Sequence, residues 1–277
     1  MFDQLALNPA YAGSRDALSA SLLDRNQWVN IPGAPQTANF ILQGPLASKN
    51  VGIGLELMSD KIGPTTDNYL SGSYAYRLKL GHGKLAFGLR VGVYDYQINF
   101  NDIDYKDKND VYSSYGQSQK IIPSSDAGLY YYTQTFYAGF SITHLIGGRM
   151  TDYNNPINMD ASFKPHAYLN FGKAFQLSQN VVLNPTLLIK YAQNAPTTFD
   201  LNLNMLLDNK LWLGISARKN YGFVFLAAYN ITERFRIGYS YDAGFNEIGV
   251  AGGGSNEILL NYDFNVRHSK SVSPRYL

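Results

Sequence analysis

The 277-residue chain contains no cysteine and few charged residues. The absence of cysteine excludes disulfides, thiolate metal sites and cysteine nucleophiles. Only 16% of the residues are charged, against about 25% in a typical soluble domain. The net charge of +2 is too small to indicate nucleic-acid binding. No run of about 18 apolar residues is present, which excludes a transmembrane helix.

The amino terminus lacks the marks of a signal peptide. Residues 1–4, Met-Phe-Asp-Gln, contain neither a basic segment nor an apolar one. An exported protein loses its signal peptide, so we expect Met1 to be internal to the encoded chain. Aromatic residues are abundant, with 22 Tyr and 15 Phe. This composition indicates that much of the surface faces something other than water.

Apolar residues recur with a period of two, which predicts β-strands. In residues 51–58, Val, Ile and Leu alternate with Gly52, Gly54 and Glu56. Alternation alone is compatible with a soluble sandwich or with a membrane barrel. The segments, however, are about ten residues long, and strands of about 9–11 residues cross a bilayer. Length therefore favours the barrel.

About fourteen such segments can be counted. They cover residues 17–25, 37–44, 51–59, 68–80, 84–99, 126–133, 136–144, 166–175, 181–193, 198–207, 211–218, 221–229, 235–243 and 255–264. Short connections (81–83, 133–135, 176–180, 208–210 and 230–234) alternate with junctions that include the long segments 101–125, 145–165 and 244–254. Bacterial barrels alternate short periplasmic turns with long extracellular loops in this way.

The sequence therefore predicts an all-β, transmembrane, antiparallel up-and-down β-barrel over residues 17–264. Residues 1–16 are predicted to be a periplasmic or plug segment, and residues 265–277 a basic periplasmic tail. Two strands depart from the pattern. Pro185 cannot donate to a strand ladder, so we expect a bulge or a late strand start there. Residues 221–229 are apolar on both faces, so we expect their inner face to meet a plug or a partner.

Candidate sites for chemistry are weak. The four histidines, at 82, 144, 166 and 268, are too scattered for a recognised metal spacing. An acidic run could form a calcium loop, but it lacks the required glycine and contains Lys106 and Lys108, so a solvated loop is the better interpretation; its acids are Asp102, Asp104, Asp107 and Asp110. Gly252 to Gly254 are interpreted as a flexible loop. We predict no cofactor, no metal and no enzymatic activity.

Trp28 follows the first predicted strand. Its simplest role is an anchor in the aromatic girdle at the membrane interface. The alternative is a structured outer rim, formed with Gly33 to Pro35, that contacts a partner.

Several segments resemble the PorP/SprF family. They are Asn8-Pro9-Ala10-Tyr11-Ala12-Gly13, Arg25-Asn26-Gln27-Trp28, Gly33-Ala34-Pro35-Gln36-Thr37, Asp60-Lys61-Ile62-Gly63, Ser255-Asn256-Glu257-Ile258 and Pro274-Arg275-Tyr276. The resemblance marks eleven positions as having a structural or partner-contact role: Asn8, Pro9, Tyr11, Gly13, Arg25, Gln27, Trp28, Gly33, Pro35, Asp60 and Gly63.

The resemblance implies an outer-membrane component of the type IX secretion and gliding machinery of Bacteroidetes. Such a barrel would dock or anchor secreted surface proteins, including adhesins, through their C-terminal domain. Its partners would be that cargo and other components of the machinery in the outer membrane and periplasm. A passive porin or solute transporter of the outer membrane is the alternative function.

Overall fold

A computed structural model of the chain is a closed antiparallel β-barrel. It describes residues 4–15, 17–46, 50–107, 109–114, 116–146, 149–150 and 161–264. The predicted tail at 265–277, with its Pro274-Arg275-Tyr276 ending, lies outside the described residues. So do Lys108, His268 and the start of the predicted segment 1–16.

The described residues contain seventeen strands, most of which belong to one sheet. The strands are β1 (Ser19–Asn26), β2 (Gln36–Pro45), β3 (Val51–Ile62), β4 (Thr65–Leu80), β5 (Gly83–Asn99), β6 (Gln117–Tyr132), β7 (Phe136–Thr143), β8 (Arg149–Met150), β9 (Ala161–Ser162), β10 (His166–Lys173), β11 (Phe175–Ser178), β12 (Val181–Ala192), β13 (Thr198–Leu207), β14 (Leu211–Arg218), β15 (Gly222–Asn230), β16 (Phe235–Gly244) and β17 (Ser255–Asp263).

Each barrel strand pairs with its neighbours in the chain, and β1 pairs with β17 from Ser19↔Asp263 to Asn26↔Asn256. That last pairing closes the sheet. Strands β10 and β11 both pair with β12 and together occupy one position, so the barrel has fourteen positions around its wall. The short strands β8 and β9 pair only with each other. The prediction of an up-and-down barrel of about fourteen strands is confirmed.

The two faces of the strands differ in polarity. Side chains that point outward are mainly Leu, Val, Ile, Phe and Tyr, such as Leu89 and Val91, which are 63% and 68% exposed. Side chains that point inward are mainly polar, such as Ser71 and Arg90, which are buried. An apolar outer belt around a polar interior is the arrangement of a barrel in lipid.

The two ends of the barrel differ in the length of their connections. At the short-turn end, residues 81–82, 133–135, 179–180, 208–210 and 231–234 join the strands. At the long-loop end, the connections include residues 27–35, 100–116, 144–165 and 245–254. The alternation of lengths agrees with the sequence. Assignment of the long-loop end to the cell exterior stays a prediction.

Two predicted boundaries are wrong. Residues 117–125 were expected in a loop, but they extend β6 and pair with β5, as in Asn99↔Gln117. The expected turn at 176–180 is also too long, because β11 continues to Ser178. Polar side chains on both strands hid these extensions from a pattern based on apolar alternation.

The structure explains the two strands that depart from the sequence pattern, the one with Pro185 and the one at residues 221–229. Pro185 lies within β12 and pairs with Leu203, so neither a bulge nor a late start occurs at this residue. The ladder is interrupted on the neighbouring strand instead, between β10 and β11 at Ala174. In β15, the inward Ala228 packs in an apolar cluster with Trp212 and Leu206. The second apolar face of residues 221–229 therefore contacts side chains of the barrel wall itself.

Helical structure is limited to short segments. They are α1 (Gln4–Leu7), α2 (Glu247–Gly252) and 3-10 turns at Pro9–Tyr11, Phe100–Asp102 and Val111–Ser114. Neither α-helix in the described ranges is long and apolar enough to cross a bilayer. Residues 4–15 lie inside the barrel, where Leu5, Ala10 and Tyr11 pack against inward side chains such as Tyr130.

The outward belt generates a test of membrane embedding. We expect Leu89→Arg, near the middle of the belt, to lower the free energy of unfolding in a bilayer by about 2–4 kcal/mol. Val93→Arg, at the edge of the belt on the same strand, is expected to cost about 0–1 kcal/mol. Chemical unfolding in lipid vesicles measures both. Equal costs at the two positions would contradict a lipid-facing belt.

Candidate functional site

The eleven motif positions occupy two regions. Asn8, Pro9, Tyr11 and Gly13 lie inside the barrel, in the segment that precedes β1. The other seven lie at or near the long-loop end, on β1, β3 and the loops that follow them. The sequence placed them in separate segments, and the structure brings most of the second group together.

Residues 4–15, which we call the inner segment, are attached to the barrel wall by Asn8. Its Nδ2 donates to the carbonyl of Leu129 at 2.9 Å, and its Oδ1 accepts from the backbone N–H of Ala10 at 2.9 Å. The second bond caps the 3-10 turn, which begins with Pro9. Gly128 faces Asn8 so closely that a Cβ atom there would overlap Asn8 Oδ1. This explains why a glycine suits that position.

Tyr11 and Gly13 pack at the other end of the inner segment. The Tyr11 ring is buried and meets Tyr130 edge to face, with centroids 5.4 Å apart. Gly13 has φ +67°, and a Cβ there would meet the backbone of Gly44 and Gly52. Its carbonyl also accepts from the Arg77 guanidinium. Only glycine combines that backbone conformation with so close an approach.

A buried arginine holds helix α1. The Arg90 guanidinium contacts Glu56 at 2.7 Å and Asp126 at 2.5 Å. It also donates to the carbonyls of Leu5 and Ala6 at 3.2 and 2.9 Å. Because both carboxylates and the helix end use its donors, the positive charge of Arg90 is compensated inside the barrel, where two carboxylates share this one cation. Loss of this side chain would leave two buried carboxylates without their cation.

At the long-loop end, the β1–β2 loop is bonded to the β16–β17 loop. The backbone N–H groups of Val29 and Asn30 donate to the carbonyls of Gly254 and Gly252 at 3.2 and 3.0 Å. The backbone N–H of Trp28 donates to Ser255 Oγ at 3.2 Å. Two motif segments that are more than 200 residues apart therefore meet at this edge. We call this joined structure the rim.

Trp28 packs within the rim. Its ring lies against Gly252, where a Cβ would be 2.6 Å from Trp28 Cβ, and its Nε1 is buried without a partner among the described residues. Its φ of +44° is unusual for a bulky residue. The ring therefore contacts a loop of the rim, which agrees with the alternative interpretation of a structured rim, and the girdle role of Trp28 stays a prediction. Gly252 is also close-packed, contrary to the expected flexible loop.

The β3–β4 turn completes the rim. The N–H of Gly63 donates to the carbonyl of Gly33 at 2.8 Å, and Thr37 donates to the Asp60 carboxylate. The carbonyl of Pro35 accepts from the N–H of Gln27 at 2.9 Å. A cavity of about 510 Å³ lies between these loops, lined by residues that include Gln27, Trp28, Val29, Ile31, Pro32, Gly33, Lys61 and Gly63.

Arg25 connects the rim to the barrel interior. Its guanidinium contacts Asp242 at 2.5 Å and Glu257 at 3.0 Å, and reaches Gln27 Oε1 at 3.4 Å. Asp242 in turn contacts Arg218 at 2.8 Å. Arg218 also contacts Asp200 at 3.4 Å, and Asp200 contacts Lys190 at 2.7 Å. These ion pairs therefore extend across β14, β13 and β12. Charges of opposite sign alternate along them, so the base of the rim is tied to a neutral network.

Sequence reasoning did not identify Arg77, Arg90, Arg218 or Asp242 as functional positions. Each lies on the inward face of a strand, and the two-residue alternation of apolar and polar residues already assigns each of them to that face. A charged residue at an inward position is therefore the signal that would have found them. Their partners lie on strands that are distant in sequence, and only the closed barrel determines which charges meet.

The structure also tests the metal candidates. In the acidic loop, Asp107 and Asp110 accept local backbone N–H groups, of Asn109 and Tyr112, at 2.9 Å. His144 and His166, scattered in sequence, have ring centroids 5.8 Å apart. Burial lowers the pKa of His144, which favours its neutral ring. Among the described residues, no three His, Asp or Glu side chains are grouped to hold a metal ion.

Comparison with known proteins places the fold and the family. A model described as "Type IX secretion system membrane protein PorP/SprF" matches residues 1–262. No curated protein matches the chain. The P. putida toluene transporter TodX has a TM-score of 0.54 at 10% identity, over 97% of this chain and 95% of that chain. The Ralstonia pickettii toluene transporter TbuX has a TM-score of 0.54 at 9% identity, over 96% of this chain and 94% of that chain.

The CymD monoaromatic hydrocarbon channel has a TM-score of 0.53 at 10% identity, over 97% of this chain and 94% of that chain. At such low identity, these likenesses show the fold alone. The family is that of a secretion-system membrane barrel, and the similar structures are transporters and channels, not enzymes.

The contact between Trp28 and Gly252 can be tested by fluorescence. We expect Gly252→Val to displace the indole and shift its emission to the red, because the added side chain would occupy the position of the ring. A Trp212→Phe background leaves Trp28 as the only tryptophan. Gly72→Val is the matched control, since a Cβ there meets nothing within 4 Å. Unchanged emission in the Gly252 variant would contradict the packed rim.

Proposed function

The chain belongs to the PorP/SprF family of type IX secretion system membrane proteins, and we propose that it docks or anchors secreted cell-surface proteins through their C-terminal domain. The observation that carries this proposal is the convergence of four motif segments on the rim. Residues near 25–28, 33–37, 60–63 and 255–258 come from three hairpins, β1–β2, β3–β4 and β16–β17, and are joined there by hydrogen bonds.

The rim has the properties of a recognition surface. Its cavity of about 510 Å³ is within the size range of binding sites, about 300–1,000 Å³. Apolar Val29, Ile31 and Pro32 share its lining with polar Gln27 and Lys61. Loops held on a rigid scaffold commonly carry binding residues. Because the hydrogen bonds between loops hold the cavity open before binding, less ordering is needed when a partner arrives.

We further propose that the barrel lies in the outer membrane with the rim at the cell exterior. Long loops on the outer side and short turns on the periplasmic side are the usual arrangement. Its partners would then be secreted cargo, including adhesins of the gliding machinery, on the outside. Other components of the secretion system would contact the short-turn end or the wall. The recognition mechanism needs no catalysis or cofactor.

We propose that the inner segment acts as a plug. Asn8, Arg77 and Arg90 make contacts that hold residues 4–15 against the wall. Buried packing of Leu5, Ala10 and Tyr11 adds an apolar contribution to the same attachment. A closed lumen suits a scaffold that anchors proteins, since an open pore of this width would leak solutes.

A passive porin or solute transporter is the second candidate. It is favoured by the fold likeness to two toluene transporters and to a hydrocarbon channel. The two functions differ in what the lumen must do. A transporter needs a path past the inner segment, whereas an anchor needs only the rim.

Partner capture tests the docking proposal. We expect Ile31→Asp, in the rim cavity, to weaken retention of a secreted protein about tenfold, because it places a charge in an apolar contact. The matched control is Ile231→Asp, an exposed isoleucine in a turn at the short-turn end. The measurement is quantitative copurification from native membranes in mild detergent. Equal recovery with both variants, or recovery of lipid alone from wild type, would refute docking at the rim.

Conductance in planar bilayers tests the plug. We expect little conductance from the wild-type barrel and large steady openings from Gly128→Leu, whose side chain would displace Asn8. A deletion of residues 4–14 is a second route to the same opening. Gly72→Leu, directed to open space, is the control and should stay closed. A wild-type barrel that conducts as strongly as both opened variants would favour the porin.

A further inference from the structure

A groove crosses the outer wall of the barrel over strands β1 to β5. Its volume is about 430 Å³, again within the range of small-molecule sites. The groove shares no lining residue with the rim cavity. It opens on the outward face, below the loops, and is therefore a separate feature of the molecule.

Two rows of outward side chains border the groove, and Asn39, Met58 and Tyr69, which lie between the rows on β2, β3 and β4, complete its lining. The first row is apolar, and each member is the cross-strand partner of the next: Leu22, Phe40, Leu57, Leu70 and Val93. The second row lies two residues further toward the long-loop end and consists of Ala38, Ser59, Asn68 and Asp95, again in register. Short side chains at Ala38 and Ser59 leave a depression beside the long apolar row.

The apolar row is part of the lipid-facing belt. Leu22 and Leu70 are 46% and 47% exposed on that surface. The second row contains a carboxylate, which is costly to place in hydrocarbon. The groove therefore lies across the boundary between acyl chains and headgroups. Its occupant must be apolar along one side and polar at the other, which is the chemistry of a membrane lipid.

The polar edge selects the headgroup. Ser59 already donates to Asn68 Oδ1 at 2.8 Å. The two Asp95 oxygens accept from Gln119 and Gln97 at 2.7 and 2.8 Å, and each carboxylate oxygen can accept a further bond. No Lys or Arg belongs to the described lining. The site thus offers negative charge and acceptors, so a matching headgroup must be a cation with N–H donors.

We propose that this groove binds one membrane lipid with a primary-amine headgroup. The acyl chain lies along the apolar row, and the ammonium group donates to the Asp95 carboxylate. A quaternary choline headgroup carries the same charge but has no N–H donor, so it fits the polar edge less well. The proposal depends on the barrel wall alone and is independent of what the rim binds.

Native mass spectrometry of the full barrel tests the proposal. The protein is stripped of lipid and then supplied with equal amounts of phosphatidylethanolamine and phosphatidylcholine. We expect one retained phosphatidylethanolamine for wild type. Ala38→Leu fills the depression and should abolish retention, while Ala227→Leu, at an alanine on β15 that is also exposed on the outward face, should not change it. Asp95→Asn should reduce the preference over phosphatidylcholine about two- to fivefold, as for a partly exposed ion pair.

Several results would overturn the proposal. One is equal retention of both lipids by wild type, and another is equal lipid binding by the Ala38 and Ala227 variants. Retention of detergent alone would show an unselective apolar surface. Ser59→Leu fills the same depression from the next strand, so it gives an independent reading if Ala38→Leu does not fold. Heat-modifiable migration on gels confirms folding of each variant.

Discussion

Pairing of β1 with β17 is the interaction on which the other features of this protein depend. Within a bilayer, each unpaired backbone N–H or C=O costs several kcal/mol, and no water can replace the missing partner. Eight residue pairs from Ser19↔Asp263 to Asn26↔Asn256 remove the two sheet edges. The same pairing sets Arg25 beside Glu257. Closure thus satisfies the backbone and also positions the residues at the base of the rim.

Closure also creates an interior in which charges must find partners. Arg90 is compensated by Glu56 and Asp126 on one side of the barrel. On the other side, Arg25 and Arg218 share Asp242, which is fully buried. The first group holds the inner segment and the second supports the rim. Pairing of buried charge therefore links stability of the wall to the two regions that carry the family motifs.

The outer wall and the rim have different physical tasks. The wall must be apolar enough for lipid, yet its Ala38 and Asp95 positions depart from a uniform belt and form the groove described above. The rim must keep loops ordered without the support of a ladder. It does so through bonds between loops, such as Gly63 to Gly33, and through glycines that allow Trp28 to approach the neighbouring loop closely.

The sequence by itself determined the barrel, its approximate strand number and the direction of most side chains, because a two-residue period records which face each residue occupies. It also marked the motif positions. It did not determine the start of β6 at Gln117, where polar side chains continue the strand beyond the apolar belt. Nor did it determine that Trp28 meets Gly252 or that Asp242 joins Arg25 to Arg218. Alternation is a local property, whereas those contacts depend on closure and register, which bring together residues that are far apart in the chain.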